Sequence, residues 1–409
     1  MAEQATLLIL ADDLTGAADC AARCRHAGLP AQIQFTPPEP PLPPSALAFT
    51  SDSRHVSPTE AARRVAALVA PLRRVPQVRW YKKIDSTLRG NLGSELEAML
   101  RSLAQDRPLP PAILCPAFPA QRRGLEDGYL VHEQTPPRTV HLPTLLEAQS
   151  QLPVAAIPLA VVRQGPEALA EALAAAYGRG AQLLVVDALA DADLACLVAA
   201  ARQALPQALF CGSAGLMGVL AAELAREPGT PPTDQAISPA GHTDWRRALV
   251  VVGSGSEMAH RQLAALGRLP QVHTLEVTLD QTGPPFPEAF LEPPSTERTV
   301  WVLHLPRPAP GVPLEGERAR RLVAYLARLG CGAVARLEPD LLVVVGGDTA
   351  IHLLQQLELD RLAVLAELLP GMPLTEGMDA AGRLRRVILK AGNHGDADTL
   401  CRLLGLNAR

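Results

Sequence analysis

TLLILADDLTGAADCAARCRHAGL, residues 6–29, decides the fold class. Residues 6–11 read as a buried apolar strand, and Asp12 and Asp13 as a polar turn. A helix follows in which Ala17, Cys20, Ala21 and Cys24 share one face, stopping at Gly28. A strand passing through a short turn into a helix is the unit from which parallel sheets are built. Further strand-like runs fall at 46–50, 78–84, 112–115, 154–162 and 181–188, with Ala-, Leu- and Arg-rich helical stretches between most of them. The pattern restarts in RALVVVGSGSEMAHRQLAAL (247–266), continues with strands at 299–305 and 341–347 and a helix in DTAIHLLQQLE (348–358), and closes with RRVILKAGNHGDADTLCRLL (385–404). The expectation is an α/β protein of two domains, each a mostly parallel sheet flanked by helices. The first spans 1–225 and the second 246–409, joined by a Pro-, Gly-, Thr- and Ser-rich connection at 226–245. No internal repeat is visible, and Pro-rich patches at 37–44, 108–111, 283–294 and 306–313 read as surface loops.

A chain of 409 residues is long enough for two such cores without disulfide or metal staples. Its net charge of −4 argues against a nucleic-acid partner. No charge-free apolar run reaches the roughly 18 residues of a membrane span, and MAEQATLLILADD lacks the pattern of a signal peptide. A cytoplasmic protein without a membrane partner is expected, with homo-oligomerisation left open. Seven scattered cysteines suit a reducing compartment, with Cys20 and Cys24 read as small buried hydrophobes.

Of the 38 basic residues only three are lysine: Lys82, Lys83 and Lys390. Such bias exchanges Lys for Arg wherever either serves, so the survivors mark positions that need a compact ammonium. Neighbours on a strand point to opposite faces, so only one of Lys82 and Lys83 is expected to face a site, and Lys82→Arg is expected to be the milder change.

Two groups of residues carry chemistry. In the first half, Asp12 and Asp13 stand at a strand end, Ser53 and Arg54 follow another, and Lys82, Lys83, Asp85, Ser86, Thr87 and Arg89 crowd one turn. Cations suit a carboxylate and carboxylates suit hydroxyls, so this set fits an anionic, polyhydroxylated small molecule. Either aspartate can serve as a base or cap the following helix. In the second half, three glycine turns each follow an apolar strand: Gly253-Ser254-Gly255-Ser256, Gly346-Gly347-Asp348-Thr349, and Gly392-Asn393-His394-Gly395 after Lys390. Turns at the carboxyl ends of parallel strands are where such sheets bind nucleotides. None of the three lysines follows a glycine, which excludes the P-loop. The dinucleotide fingerprint is partial, since Met258 takes its third glycine position while Glu276 could hold a ribose. An NAD(P)-dependent dehydrogenase and a non-catalytic sugar-acid sensor therefore stand as alternatives.

ADDLTGAAD (11–19), Ser53-Arg54, YKKIDSTLRGN (81–91), PAFP (116–119), GSAGL (212–216), GSGS, GGDTA and LKAGNHG, in this order, resemble the four-carbon acid sugar kinases over almost the whole chain. The resemblance implies a sugar-acid domain followed by an ATP domain, and ATP- and Mg²⁺-dependent phosphorylation of the terminal hydroxyl of threonate, erythronate or 3-oxotetronate. It places substrate contacts on Asp13, Arg54, Lys83, Asp85 and Ser86, and ATP contacts on Ser254, Gly346 to Thr349 and Gly392. Asp12, Lys82 and Arg89 join the substrate set, and Ser256, Lys390, Asn393 and Gly395 the nucleotide set. Asp13 or Asp85 would accept the proton, and Lys83 or Arg89 would bind the carboxylate or the transferring group, once the two domains close. Asp348 and Asp396 are both candidate metal ligands, and the choice stays open. The chain departs from the family's usual residues at Leu14, Asp348, Ala391 and His394, and carries Arg122-Arg123 where Gly-Arg is usual.

Overall fold

A computed structural model describes residues 6–406 apart from 106, 133–139, 228–242, 279–285, 287–289, 291–297 and 309–315. The chain divides into two compact units, Met1–Thr233 and Asp234–Arg409. Most of the expected connection at 226–245, and much of the Pro-rich patches at 283–294 and 306–313, lie outside the described residues.

In chain order the first unit contains β1 (Thr6–Ala11), α1 (Leu14–His26), β2 (Ala31–Gln34), β3 (Ala46–Thr50), α2 (Pro58–Val69), β4 (Val78–Lys83), α3 (Leu92–Ala104) and β5 (Ala112–Cys115). The hairpin β6 (Arg123–Glu126) and β7 (Tyr129–His132) follows, then α4 (Leu142–Gln149), β8 (Val154–Ile157), α5 (Leu159–Val162), α6 (Pro166–Gly178), β9 (Leu183–Val186), α7 (Asp191–Ala204), β10 (Leu209–Gly212) and α8 (Ala214–Leu224). The main strands pair in parallel in the order β2-β3-β1-β4-β10-β5-β9-β8. Every residue of β1 is buried, as its unbroken apolar run requires of a strand covered on both faces. Leu8 and Leu10 pack with Leu47, Phe49, Val65, Leu96 and Met99 on one face.

The second unit contains β11 (Arg247–Val252), α9 (Glu257–Leu266), β12 (Val272–Glu276), β13 (Thr299–His304), α10 (Gly316–Leu337), β14 (Leu341–Val345), α11 (Gly347–Gln356), β15 (Arg361–Leu369), β16 (Met372–Met378), β17 (Leu384–Lys390) and α12 (Thr399–Leu403). Its strands run β12-β13-β11-β14-β17-β16-β15, parallel through β17 and antiparallel beyond. Both sheets open identically: the second strand lies outermost, the third sits between it and the first, and the fourth joins the far side of the first. The topological switch therefore falls beside β1 and beside β11, which places the crevice at the turns already singled out.

Some boundaries differ from expectation. The run at 154–162 splits, because Pro158 lacks an N–H donor and caps α5. The run at 341–347 stops at Val345, where Gly346 turns at φ +112° into α11. The β6–β7 and β15–β16 hairpins and the strands β2 and β10 carry no strong periodic signal.

Cys20, Cys24, Cys115, Cys211 and Cys401 are buried, and burial pushes the Cys20, Cys115 and Cys211 thiols up to about 12. A chromogenic disulfide reagent at pH 8 should titrate no more than Cys196 and Cys331 in the folded protein, and the remainder only after denaturation. Rapid reaction of a larger set would contradict this packing.

Candidate functional site

The first cluster is assembled at the carboxyl ends of β1, β3 and β4. Arg54 donates through Nε and Nη2 to both oxygens of Asp12, at 2.7 and 2.9 Å, and through Nη1 to Asp13. Asp13 caps α1, accepting from Gly16 N at 2.7 Å and from Thr15 Oγ1 at 2.7 Å. The Arg54 loop is fixed from below. Asn91 Nδ2 donates to Ser53 O and Val56 O, each at 3.0 Å, and Ser51 Oγ donates to Ala11 O at 3.0 Å. Burial opposes the Asp12 charge, but Arg54 holds its carboxyl below the usual carboxylate range.

Lys82 and Lys83 are both buried, and their ammoniums reach different partners. Lys82 pairs with Glu95 of α3 at 2.7 Å and donates to Lys83 O at 3.1 Å, and Glu95 also accepts from Ser53 Oγ at 2.7 Å. Burial alone would lower the Lys82 ammonium, yet Glu95 keeps it above the usual lysine range. Lys83 Nζ donates to Ile84 O at 2.9 Å, and a Cβ on Gly16 would meet both Asp13 Oδ1 at 2.8 Å and Lys83 Nζ at 2.9 Å. Asp85 is buried and accepts from Thr87 and Arg89. Burial opposes its charge, and Arg54 and Arg89 hold it far below the usual range. Ser86 Oγ accepts from Arg123 at 2.6 Å.

The second cluster joins the three glycine turns after β11, β14 and β17. Gly253 N donates to Val345 O at 3.1 Å and Gly346 N to Lys390 O at 3.0 Å, so each turn is tied to its neighbour. The turns lie so close that side chains are excluded. A Cβ on Gly253 would sit 1.9 Å from Thr349 Oγ1, and one on Gly392 1.8 Å from Ser254 Oγ. Ser254 Oγ donates to Ser256 Oγ at 3.2 Å, and Ser256 caps α9, accepting from Ala259 N at 3.2 Å. The α11 N-terminus, by contrast, has no side-chain cap, with Gly347, the exposed Asp348 and the buried Thr349 as its first turn. Lys390 is buried and donates to Ala391 O at 2.8 Å. Asn393 is half-buried on the same turn and Gly395 exposed, while Asp396 is tied to Arg402 at 2.7 Å.

Glu276 ends β12, and β13 separates that strand from β11. The dinucleotide fold places its ribose-binding acid on the strand next to the glycine turn. Two strand spacings, about 10 Å, take Glu276 away from that role.

Residues 7–220 match the sugar-binding N-terminal domain family, and residues 307–400 the nucleotide-binding C-terminal domain family. The chain is 32% identical over 418 residues to the D-threonate kinase of Bordetella bronchiseptica, covering 96% of this chain and 95% of that protein. The chain belongs to the four-carbon acid sugar kinase family. It is also 28% identical to the 3-oxo-tetronate kinase of Pseudomonas fluorescens, over 97% of this chain and 96% of that one. The D-erythronate kinase of Heliobacterium modesticaldum is 40% identical over 206 residues, 46% of each chain. Among solved structures, a Salmonella typhimurium LT2 protein superposes with a TM-score of 0.74 at 22% identity, covering 97% of this chain and 98% of that one. Haemophilus influenzae protein HI1011 gives 0.69 at 21%, covering 97% and 99%. At such identities the structural likeness speaks to the fold alone.

Glu95 and Arg123 were not legible as members of the acid cluster. Glu95 had a signal, since it shares the buried face of α3 with Leu92, Leu96 and Met99 at helical spacing. Removing one partner of a buried pair costs about 3–5 kcal/mol, whereas an apolar pair of similar volume costs little. Glu95→Gln and Lys82→Met should therefore each lower unfolding free energy in denaturant titrations, Lys82→Met/Glu95→Leu much less. A loss under about 1 kcal/mol for Glu95→Gln would show the pair to be dispensable.

The depressed carboxyls also fix a pH dependence. Their stabilising contribution is fully present above the ordinary value of 3.8 and is lost as pH falls through the lower folded values. Stability measured from pH 8 to pH 5 should show no inflection from Asp12 or Asp85. A loss removed by Asp85→Asn within that window would contradict the assignment.

Proposed function

We propose that the chain is an ATP-dependent kinase that transfers a phosphoryl group to the terminal hydroxyl of a four-carbon sugar acid. The carrying observation is the convergence of the three glycine turns, too close for side chains, beside a helix N-terminus that no side chain caps. Backbone N–H groups at such an end favour phosphate. The acid cluster of the first unit suits an anionic, polyhydroxylated acceptor, and the activities named for the full-length relatives support the reading.

In this reading Asp13 and Asp85 orient the acid's hydroxyls, and Asp13 receives the proton of the attacking one. Asp85 is a weak base, because its two arginines hold it ionised, so its role is orientation. Asp12 is spent on Nε and Nη2 of Arg54 and fixes that guanidinium. Lys83, which flanks Gly16 as Asp13 does, is placed to offset charge developing at the attacked phosphoryl group. Lys82 acts from beneath through Glu95, and Arg89 holds Asp85. Phosphoryl transfer has a loose transition state, so positioning and charge neutralisation do most of the catalysis.

Magnesium fits as a companion of the phosphates. Among the described residues no group of three or more His, Cys, Asp or Glu could hold a metal, yet Mg²⁺ commonly needs one or two carboxylates besides phosphate oxygens. Asp348 is exposed at the uncapped turn and suits that role, while Asp396 is committed to Arg402. The ion would neutralise phosphate charge.

ADP release with threonate, erythronate and 3-oxotetronate tests the reading, and activity on none of them would sink it. Gly392→Ala should raise KM for ATP at least tenfold with little change in KM for the acid, because its Cβ collides with Ser254. Asp13→Asn should lower kcat roughly 100-fold with ATP binding retained. Normal ATP saturation in the first variant would move the nucleotide site elsewhere, and normal turnover in the second would remove Asp13 as base.

A further inference from the structure

Arg123 opens the β6 strand immediately after the PAFP turn. Its backbone is locked in both directions to Phe118, with Phe118 N to Arg123 O at 2.8 Å and Arg123 N to Phe118 O at 3.2 Å. The far end of the hairpin is pinned by the buried Asp187, which accepts from Asp127 N at 2.7 Å and Gly128 N at 3.0 Å. A rigid two-strand arm thus carries the guanidinium to the acid cluster.

The side chain is nearly fully enclosed, at 4% exposure. Its Nη1 donates to the neutral Ser86 hydroxyl, and its Nε has no hydrogen-bond partner. The other cations of the cluster are matched differently: Arg54 by Asp12 and Asp13, Lys82 by Glu95, and Arg89 by Asp85. Asp85 and Asp19 act on Arg123 through space while Arg89 opposes them, and burial leaves its guanidinium below the ordinary arginine range. A buried guanidinium resting on a hydroxyl costs folding free energy that an anion would return. Its planar fork matches a carboxylate in a bidentate manner that an ammonium cannot reproduce.

We propose that Arg123 is the residue that recognises the substrate's carboxylate, and by which the site tells a four-carbon acid from the corresponding neutral polyol. This rests on the kinase reading above and refines it, since Lys83 is released for the phosphoryl end and Arg89, half exposed and bound to Asp85, does not hold the substrate's carboxylate. Anchoring one end of a four-carbon chain on Arg123 presents the opposite end for reaction.

The test uses the full chain with Arg123→Met and Arg123→Lys, and D-threonate and D-erythronate against threitol and erythritol. Arg123→Met should lose about 100-fold or more in kcat/KM for the preferred acid, carried mainly by KM, with KM for ATP within twofold of wild type. Preference for acid over polyol should shrink by the same factor, and Arg123→Lys should recover part of it. Melting of the unliganded Arg123→Met protein should be no lower than wild type, while the rise produced by the acid disappears; a purely structural arginine would lower melting and leave the rise. An acid KM within threefold of wild type, or an undiminished melting shift in Arg123→Met, overturns the proposal. If wild type releases no ADP with any acid, the kinase reading fails separately, and the melting shift with acid alone still decides whether Arg123 binds it.

Discussion

The Arg54 guanidinium, enclosed between the carboxylates of Asp12 and Asp13, is the interaction on which the acid cluster depends. It joins the end of β1 to the loop after β3, two segments that the parallel sheet brings side by side. Three charges removed from water are tolerable only with nearly complete hydrogen bonding. The surrounding residues supply it: Thr15 and Gly16 on Asp13, and Asn91 and Ser51 on the backbone that carries Arg54. The second layer, Lys82 with Glu95 and Ser53, repeats the same economy one step deeper. An array of fixed charges in a low-dielectric setting suits a reaction whose main requirement is a preorganised electrostatic environment.

The second unit meets a different constraint, which is close approach. Where three strands end together, the turns after them have no room for a Cβ at Gly253 or Gly392. What the turns leave accessible is backbone, hydroxyl and the Asp348 carboxylate, and backbone N–H groups in such turns suit phosphate. Both units begin with the same four-strand order, so one topology provides two unlike sites. The chemistry differs because the loops differ: charged and rigidly paired in one, glycine-rich in the other.

Much of this was legible in the chain itself. The central strands β1, β3, β5, β11, β13 and β14 announce themselves as apolar runs ending in polar or glycine turns, and the chemical residues sit at those ends because parallel sheets bind there. The β6–β7 arm and the β15–β16 hairpin were not legible, since their pairing depends on partners distant in sequence rather than on local period. The scarcity of lysine singled out Lys82, Lys83 and Lys390, all three of which are buried, but strand alternation could not foresee that α3 would send Glu95 to meet Lys82. Arg123 was visible in the sequence only as half of the Arg122-Arg123 pair: one arginine among 35 carries no compositional signal, and its burial without a carboxylate partner is what sets it apart in the acid cluster.

The position of phosphate on the product tests the account most directly. After turnover of the preferred acid with ATP, phosphorus–proton and phosphorus–carbon couplings in the NMR spectrum should place the phosphate on C4, the carbon farthest from the anchored carboxylate. Phosphate on C2, C3 or the carboxyl group would contradict the orientation assigned to the acid cluster. Absence of any phosphorylated product, with NAD(P)H consumed instead, would contradict the kinase itself.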